Sequence, residues 1–354
     1  MLSSKDIIAR GPYLSGREAL RAGLIDARLY IDEFNKLLSD NNYSLLNFLY
    51  IPEFVNYDWD GISAEKIAVI YITGDIVSGS GIRGRSAGSN AVAQAISDAR
   101  KNPSVKAIIL RVNSRGGSAL ASDIIAREVL LCKMSDKPTP VIVSMGGVAA
   151  SGGYYIAAFA EKIFAQPATI TGSIGVTAVF PDISGLLEKL DIRSETVRTT
   201  ENADFGNLTR QMREDEAEKV RSFIAESYEQ FVTVVSKGRG ISYENADAIA
   251  KGRVWTGRQA QKISLVDNMG GLSDALTYAK SNYLRGERAR IIEIVPGSRQ
   301  FSLMSMLRIS HASRLEEMPK IARELFDFLK QIDYYEEGVP LYLMPYTMEE
   351  LGLD

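Results

Sequence analysis

Two stretches decide the fold: VKAIILRVNSRGGSALASDIIAREVLLC (residues 105–132) and VIVSMGGVAASGGYYIAAFA (residues 141–160). Each opens on an apolar run of strand length, passes a glycine-bearing segment and continues at helical spacing. Outward from them the same alternation begins earlier, with IAVIYI from residue 67 and NAVAQAISDAR from residue 90. Strand, helix, strand, helix in this order predicts an α/β fold with a mostly parallel sheet and crossover helices. The uncharged run 141–160 is long enough to span a bilayer on length alone, but it holds four glycines and two serines. It reads instead as a buried strand and a buried helix with a glycine turn between them.

Composition narrows the chemistry. A chain of 354 residues, 45% of them hydrophobic, can bury at least one full core. Its net charge of −3 leaves no electrostatic footprint for nucleic acid or a strongly anionic membrane. One cysteine, Cys132, and one histidine, His311, exclude an intramolecular disulfide and the usual Cys/His zinc sites, and no metal or cofactor is expected. Cys132 lies in a helical apolar pattern and reads as a buried structural thiol. A hydrolase built on this chain needs a base other than the distant His311. The stretch MLSSKDIIARGPYLSGREAL is polar throughout, so no export signal is expected in it.

An internal repeat sets the expected domain layout. Residues 8–26 align without gaps on residues 249–267, with identities at Ile8/Ile249, Ala9/Ala250, Gly11/Gly252, Gly16/Gly257, Arg17/Arg258, Ala19/Ala260, Leu24/Leu265 and Asp26/Asp267. The later copy closes the domain that begins near residue 67; the early copy has almost nothing before it. Residues 1–40 are therefore expected to be the closing element of an upstream repeat, 41–64 a linker, 65–282 the main domain and 283–354 a C-terminal extension with an amphipathic helix around EEMPKIARELFDFLKQI. The plainer alternative is a helix-turn element reused as a dimer contact. Helices are expected over 211–238 and 242–251, and another after Thr256, a suitable N-cap.

RVNSRGGSALAS and SMGGVAASGGYY both follow predicted strands, which in a parallel sheet places them at the carboxyl edge where ligands bind. Glycines let backbone N–H groups approach a substrate carbonyl, and a helix start offers unpaired donors at the positive end of its dipole. Serine and glycine so arranged suit acyl transfer through an oxyanion hole. Ser151 is the expected nucleophile, with donors from Gly116, Gly117 and Gly152. Taken singly, a Gly-Gly pair more often serves tight helix–sheet packing; two such turns plus TGSIGV at 171–176 favour a site. GSGIRG at 79–84 formally matches a dinucleotide fingerprint, but its arginines make it read as a solvated loop.

LRVNSRGGSALAS, VIVSMGGVAASGGYYIA, TITGSIGV and GRVWTGRQAQKISLVD together resemble successive motifs of the signal peptide peptidases. The similarity covers about residues 65–282, and residues 1–40 resemble the end of the N-terminal repeat in the long tandem members. The resemblance implies a Clp-protease/crotonase-like fold and a Ser-Lys dyad. It also implies membrane-associated oligomers, on the outer face of the bacterial inner membrane, that degrade cleaved signal peptides and other short hydrophobic segments. By position the family's nucleophile falls on Ser151, and the serine that helps hold the lysine falls on Ser173.

Two departures stand out. The family's Ser-Pro-Gly-Gly-Ser reads Ser114-Arg115-Gly116-Gly117-Ser118 here, which predicts a less fixed oxyanion loop or an arginine on the substrate. The lysine that single-repeat members carry ahead of an Asp-hydrophobic-Gly step is Ala203, before Asp204-Phe205-Gly206. In tandem members the base resembles a lysine of the first repeat, so the expected base lies outside this chain, in an upstream lysine-bearing repeat or a homo-oligomeric partner. Lys162, Lys189 and Lys237 read as helical or surface residues. The rival functions are a crotonase-like enzyme acting on coenzyme A thioesters and a non-catalytic scaffold subunit.

Overall fold

The computed structural model describes residues 11–40, 65–82, 84–285, 290–294, 296 and 341–343. The expected linker 41–64, the helix around residues 316–332 and His311 fall outside the described residues. The chain divides into two compact units, one of residues 1–62 with 180–223, the other of residues 63–179 with 224–354.

The larger unit is built on an eight-stranded sheet with the order β10-β9-β7-β5-β1-β12, in which β8 joins β7 and β11 joins β8. Its central strands are β1 (Lys66–Thr73), β5 (Val105–Ser114) and β7 (Val141–Ala150), with β8 (Lys162–Ala165), β9 (Ile170–Gly172), β10 (Val254–Thr256), β11 (Asn268–Met269) and β12 (Arg290–Ile294) around them. All pairings are parallel except β10 with β9. The expected parallel α/β architecture is what the chain adopts. Period-two alternation within the strands sends Ala68, Ile70, Ile108, Leu110, Val141 and Val143 to one core and Ile67, Val69, Ala107, Ile109 and Ile142 to the other. Burial on both faces explains why these strands read as continuous apolar runs.

Helices α3 (Ser89–Lys101), α4 (Ala119–Met134) and α5 (Gly152–Ala157) follow β4, β6 and β7 in the chain. Cys132, on α4, is fully buried, and desolvation pushes its thiol up to about 12, so it stays a neutral packing group as expected. The short strands β2 (Asp75–Val77), β3 (Gly81–Ile82), β4 (Ser86–Gly88), β6 (Gly116–Ser118) and β13 (Leu341–Leu343) form a second sheet ordered β13-β6-β2-β4-β3. Gly81 and Ile82 of the GSGIRG segment form β3, which turns back antiparallel onto β4, instead of running from strand into helix as a phosphate loop does.

One local expectation is corrected. SMGG is not a turn; β7 continues through Gly146 and Gly147 to Ala150. Its pairing with β5 runs to Met145↔Val112 and resumes at Ala149↔Ser114, four residues against two, so the glycine pair forms a bulge. The Asn113 carboxamide oxygen accepts the Val148 N–H at 3.2 Å inside it, and a Cβ on Gly146 would meet that oxygen at 2.6 Å. On the other edge of β7, β8 pairs before the bulge and β9 after it.

The smaller unit holds α1 (Gly16–Arg21), α2 (Ile31–Asp40) and α6 (Ser184–Lys189), and α7 (Glu214–Arg239) begins in it and continues into the larger unit. Residues 180–223, expected inside the main domain, belong to this unit. The physical reason is visible in the burial pattern: among the described residues no hydrophobic side chain between Ile174 and Val220 is buried. Arginines hold the segment together instead. Arg210 bridges Asp204 and Glu216 at 2.8 and 2.6 Å, and Arg213 reaches both at 3.1 and 2.9 Å.

The repeat seen in sequence is also a repeat of local structure. α1 and α8 (Gly257–Lys262) each span six residues. Ser15 and Thr256 cap them on the N–H three residues on, and Glu18 and Gln259 reach back to backbone N–H groups at their starts. Both exits close alike, Leu24 N–H onto Ala19 at 3.0 Å and Leu265 N–H onto Ala260 at 2.9 Å. A small residue with positive φ, Gly23 or Ser264, precedes each of those closing residues.

Candidate active site

Ser151 stands where β7 ends and α5 begins, as the N-cap of that helix, at φ 52° and ψ −117°. That conformation is essentially reserved for glycine, and a serine held in it is strained by about 1–3 kcal/mol. The turn is fixed from several directions. The Ser151 N–H donates to Gly172 of β9 at 2.8 Å, and its carbonyl accepts the Tyr155 N–H at 2.8 Å. A Cβ on Gly153 would lie 2.9 Å from the Ser114 carbonyl oxygen, so the first turn of α5 sits directly on the end of β5.

Two buried tyrosines anchor the same helix. Tyr154 donates from its hydroxyl to the Leu265 carbonyl at 2.9 Å, and Tyr155 donates to the Asp123 carboxylate at 2.6 Å, which also accepts from Gln230 at 3.0 Å. Burial pushes the Tyr154 phenol well above its usual range, so it stays a donor. Sequence reasoning missed these positioning residues. The signal was the tyrosine pair following Gly152-Gly153.

Ser151 is fully buried, and its Oγ has no hydrogen-bond partner among the described residues. A buried hydroxyl left unpaired costs about 1–3 kcal/mol, so the arrangement is not one that stability alone would favour. Ser173 lies beside it, because Ala150 of β7 pairs with Gly172 of β9. Ser173 is also almost fully buried, has φ 46° and donates its N–H to the Arg253 carbonyl at 2.8 Å.

Among the expected oxyanion donors, Gly116 and Gly117 lie on β6, which contacts α5. The Gly116 N–H is engaged by the Ser114 Oγ at 3.1 Å in this conformation. Gly152, as the first residue of α5, has an N–H that no intrahelical carbonyl can reach. Gly117 must be glycine: a Cβ there would stand 2.0 Å from the Ile76 carbonyl oxygen, and its φ is 150°. Arg115 is not loose. Its guanidinium pairs with Asp75 of β2 at 2.8 Å, so an ion pair restrains the loop where the family's proline would.

Among the described residues, no lysine side chain bonds the Ser151 Oγ. Ala203 is exposed in a turn of the smaller unit; Lys189 and Lys237 are exposed and Lys162 half-buried on β8. Lys66 is buried, but it begins β1, and parallel strands put it at the sheet edge opposite Ser151. Asp204 and Glu216 serve the arginine cluster, and hydrogen bonds from Arg210 hold both carboxyls below their usual range.

A parallel α/β domain whose central strand ends on a strained, buried serine at a helix start, next to a Gly-Gly strand, is the class of architecture the fold and candidate site define. The model of peptidase family S49 matches residues 133–283. Protease 4 of Salmonella typhi is 36% identical over 273 residues, covering 75% of this chain and 43% of that protein. A Methanocaldococcus jannaschii protein is 35% identical over 222 residues, covering 61% of this chain and 70% of that one. A ClpP1 mutant from Listeria monocytogenes has a TM-score of 0.37 at 19% identity, covering 59% of this chain and 94% of that one. The chain belongs to peptidase family S49, and it spans less than half the length of the Salmonella Protease 4 it matches.

Proposed function

We propose that the chain carries the nucleophilic half of a serine endopeptidase that degrades short hydrophobic peptides, cleaved signal peptides among them. The single observation that carries this reading is the strained and fully buried Ser151 with an unpartnered Oγ at the start of α5.

In the proposed reaction Ser151 Oγ attacks the scissile carbonyl while its proton passes to a neutral lysine amine. The developing oxyanion is held by the Gly152 N–H and by Gly117 on β6; loss of one such donor typically costs about 10²–10³ in rate. The lysine returns the proton to the leaving amine, and water then hydrolyses the acyl-enzyme through the same base. Ser173, beside the nucleophile, would orient the lysine. The amine comes from a polypeptide region other than the described one, an upstream lysine-bearing repeat or a partner copy in an oligomer. The setting we propose is the outer face of the bacterial inner membrane, although no helix among the described residues is long and apolar enough to cross one.

A fluorophosphonate probe tests the reading on the purified chain and its Ser151→Ala variant, with casein and a signal peptide as substrates. Labelling of wild type alone, rising with a lysine-bearing repeat, is the expected result. Equal labelling of both forms would assign the chemistry elsewhere, and no labelling even with the repeat present would favour a scaffold role.

A further inference from the structure

The candidate oxyanion strand needs a restraint that its own residues withhold. Gly116 and Gly117 stand at φ 114° and 150°, and two glycines in succession leave the backbone at its freest. A donor that is to stabilise an oxyanion has to be held in place before the charge develops. The proline that resemblance places at position 115 would fix one φ and limit the residue before it. Arg115 does neither.

Three ties stand in its place. The Gly74 N–H donates to the Asn113 carbonyl at 3.0 Å, the Arg115 guanidinium forks onto Asp75, and Ile76 of β2 pairs with Gly117 of β6. They join residues 74, 75 and 76 to residues 113, 115 and 117 in order. The outer two are backbone contacts, whereas the middle one depends on two side chains. Arg115 Nε donates to one Asp75 carboxylate oxygen at 2.8 Å and Nη2 to the other at 3.4 Å. The two side chains are only 20% and 21% exposed, which sets the pair apart from a freely solvated surface bridge.

Asp75 is the fixed member of the pair. Gly74 before it has φ 77°, and a Cβ there would stand 1.9 Å from the Arg85 carbonyl oxygen. Ile76 after it is fully buried. The carboxylate thus rises from backbone packed on both sides, while Arg115 leads directly into the two glycines.

We propose that Asp75 is a positioning residue: through Arg115 its carboxylate holds the Gly116–Ser118 strand in the orientation that presents Gly117 to the reacting carbonyl. The role in a reaction rests on the peptidase reading of Ser151, whereas the restraint on the strand can be measured without any chemistry.

Two single variants and one rescue test it. Asp75→Asn and Arg115→Met each remove one charge of the pair, and Asp75→Asn/Arg115→Pro supplies a restraint that needs no carboxylate. Hydrogen exchange of the peptide spanning residues 114–120 is read in each, with urea unfolding to show that the fold is kept. Exchange about tenfold faster than in the parent chain is expected in both single variants, with a return toward the parent rate in the double variant. The chemical readout is the rate at which a fluorophosphonate labels Ser151 with the lysine-bearing repeat added. It is expected to fall about 10²-fold in the single variants, the loss for a group misplaced by about an ångström, and to recover in the double variant. With a peptide substrate the loss should lie in kcat and leave KM unchanged, a split that a general loss of stability would not produce.

Unchanged exchange in both single variants, or slower labelling that proline does not restore, overturns the proposal. Faster exchange cured by proline, with Ser151 unlabelled in every form, would keep the restraint and sink the peptidase reading.

Discussion

At the scale of single residues, the conflict between stability and chemistry is concentrated in Ser151. Its φ of 52° suits glycine, and its Oγ is buried without a partner. Ser151→Gly should therefore relieve strain and remove the unpaired hydroxyl together, offset in part by the greater unfolded-state freedom of glycine. We expect Ser151→Gly to be more stable than Ser151→Ala by about 1 kcal/mol in urea unfolding, with neither variant labelled by a serine probe. If the alanine form is the more stable, strain is not what this turn stores. At this scale the sequence picked out Ser151 and the Gly116-Gly117 pair as candidates, because two glycine-bearing segments follow consecutive apolar runs. The Arg115–Asp75 pair was not legible there, since it joins residues that the sequence separates by 40 positions.

At the scale of elements, the repeat shows one capping and closing geometry formed twice, by conservative pairs at the caps (Ser15/Thr256, Glu18/Gln259) and identical pairs at the exit (Ala19/Ala260, Leu24/Leu265). Thr256→Ala should cost about 1 kcal/mol, the usual loss of an N-cap, read by thermal or urea unfolding. Thr256→Ser should restore most of it, and a loss that serine does not restore would place the role of Thr256 elsewhere. The arginine cluster of the smaller unit makes a different prediction. Hydrogen bonds from Arg210 lower the Asp204 and Glu216 carboxyls, so the folded form binds protons less readily than the unfolded chain. Their stabilisation is complete above the ordinary carboxylate range near pH 4 and is lost as pH falls through it toward the depressed folded values. Limited proteolysis at pH 3 with an acid-active protease should begin within residues 193–216, and Asp204→Asn should expose the same segment at pH 7. Strands and helices of the larger unit followed from periodicity. The bulge at Gly146-Gly147 and the separation of residues 180–223 did not, because both depend on which distant strand or core a segment meets.

At the scale of the whole molecule, the serine and the base are a problem of supply. The described residues hold a candidate nucleophile and candidate donors, and among them no lysine bonds Ser151. By the family resemblance, the position expected to carry the lysine is occupied by Ala203. A base delivered by a second polypeptide makes the labelling rate depend on the concentration of that polypeptide. A positioned general base contributes about 10²–10⁴ in rate. Adding a lysine-bearing repeat should thus raise Ser151 labelling by at least about 10²-fold along a saturating curve, whereas the same repeat with its lysine changed to alanine should bind without activating. Ala203→Lys offers the amine from within the chain. If that position reaches a serine in another copy, the variant gains activity that grows with its own concentration, and its pH–rate profile rises at an apparent pKa below the 10.4 or so of a free lysine. A gain independent of concentration would put both groups in one chain. No gain, alongside activation by the added repeat, would assign the base to the upstream repeat alone.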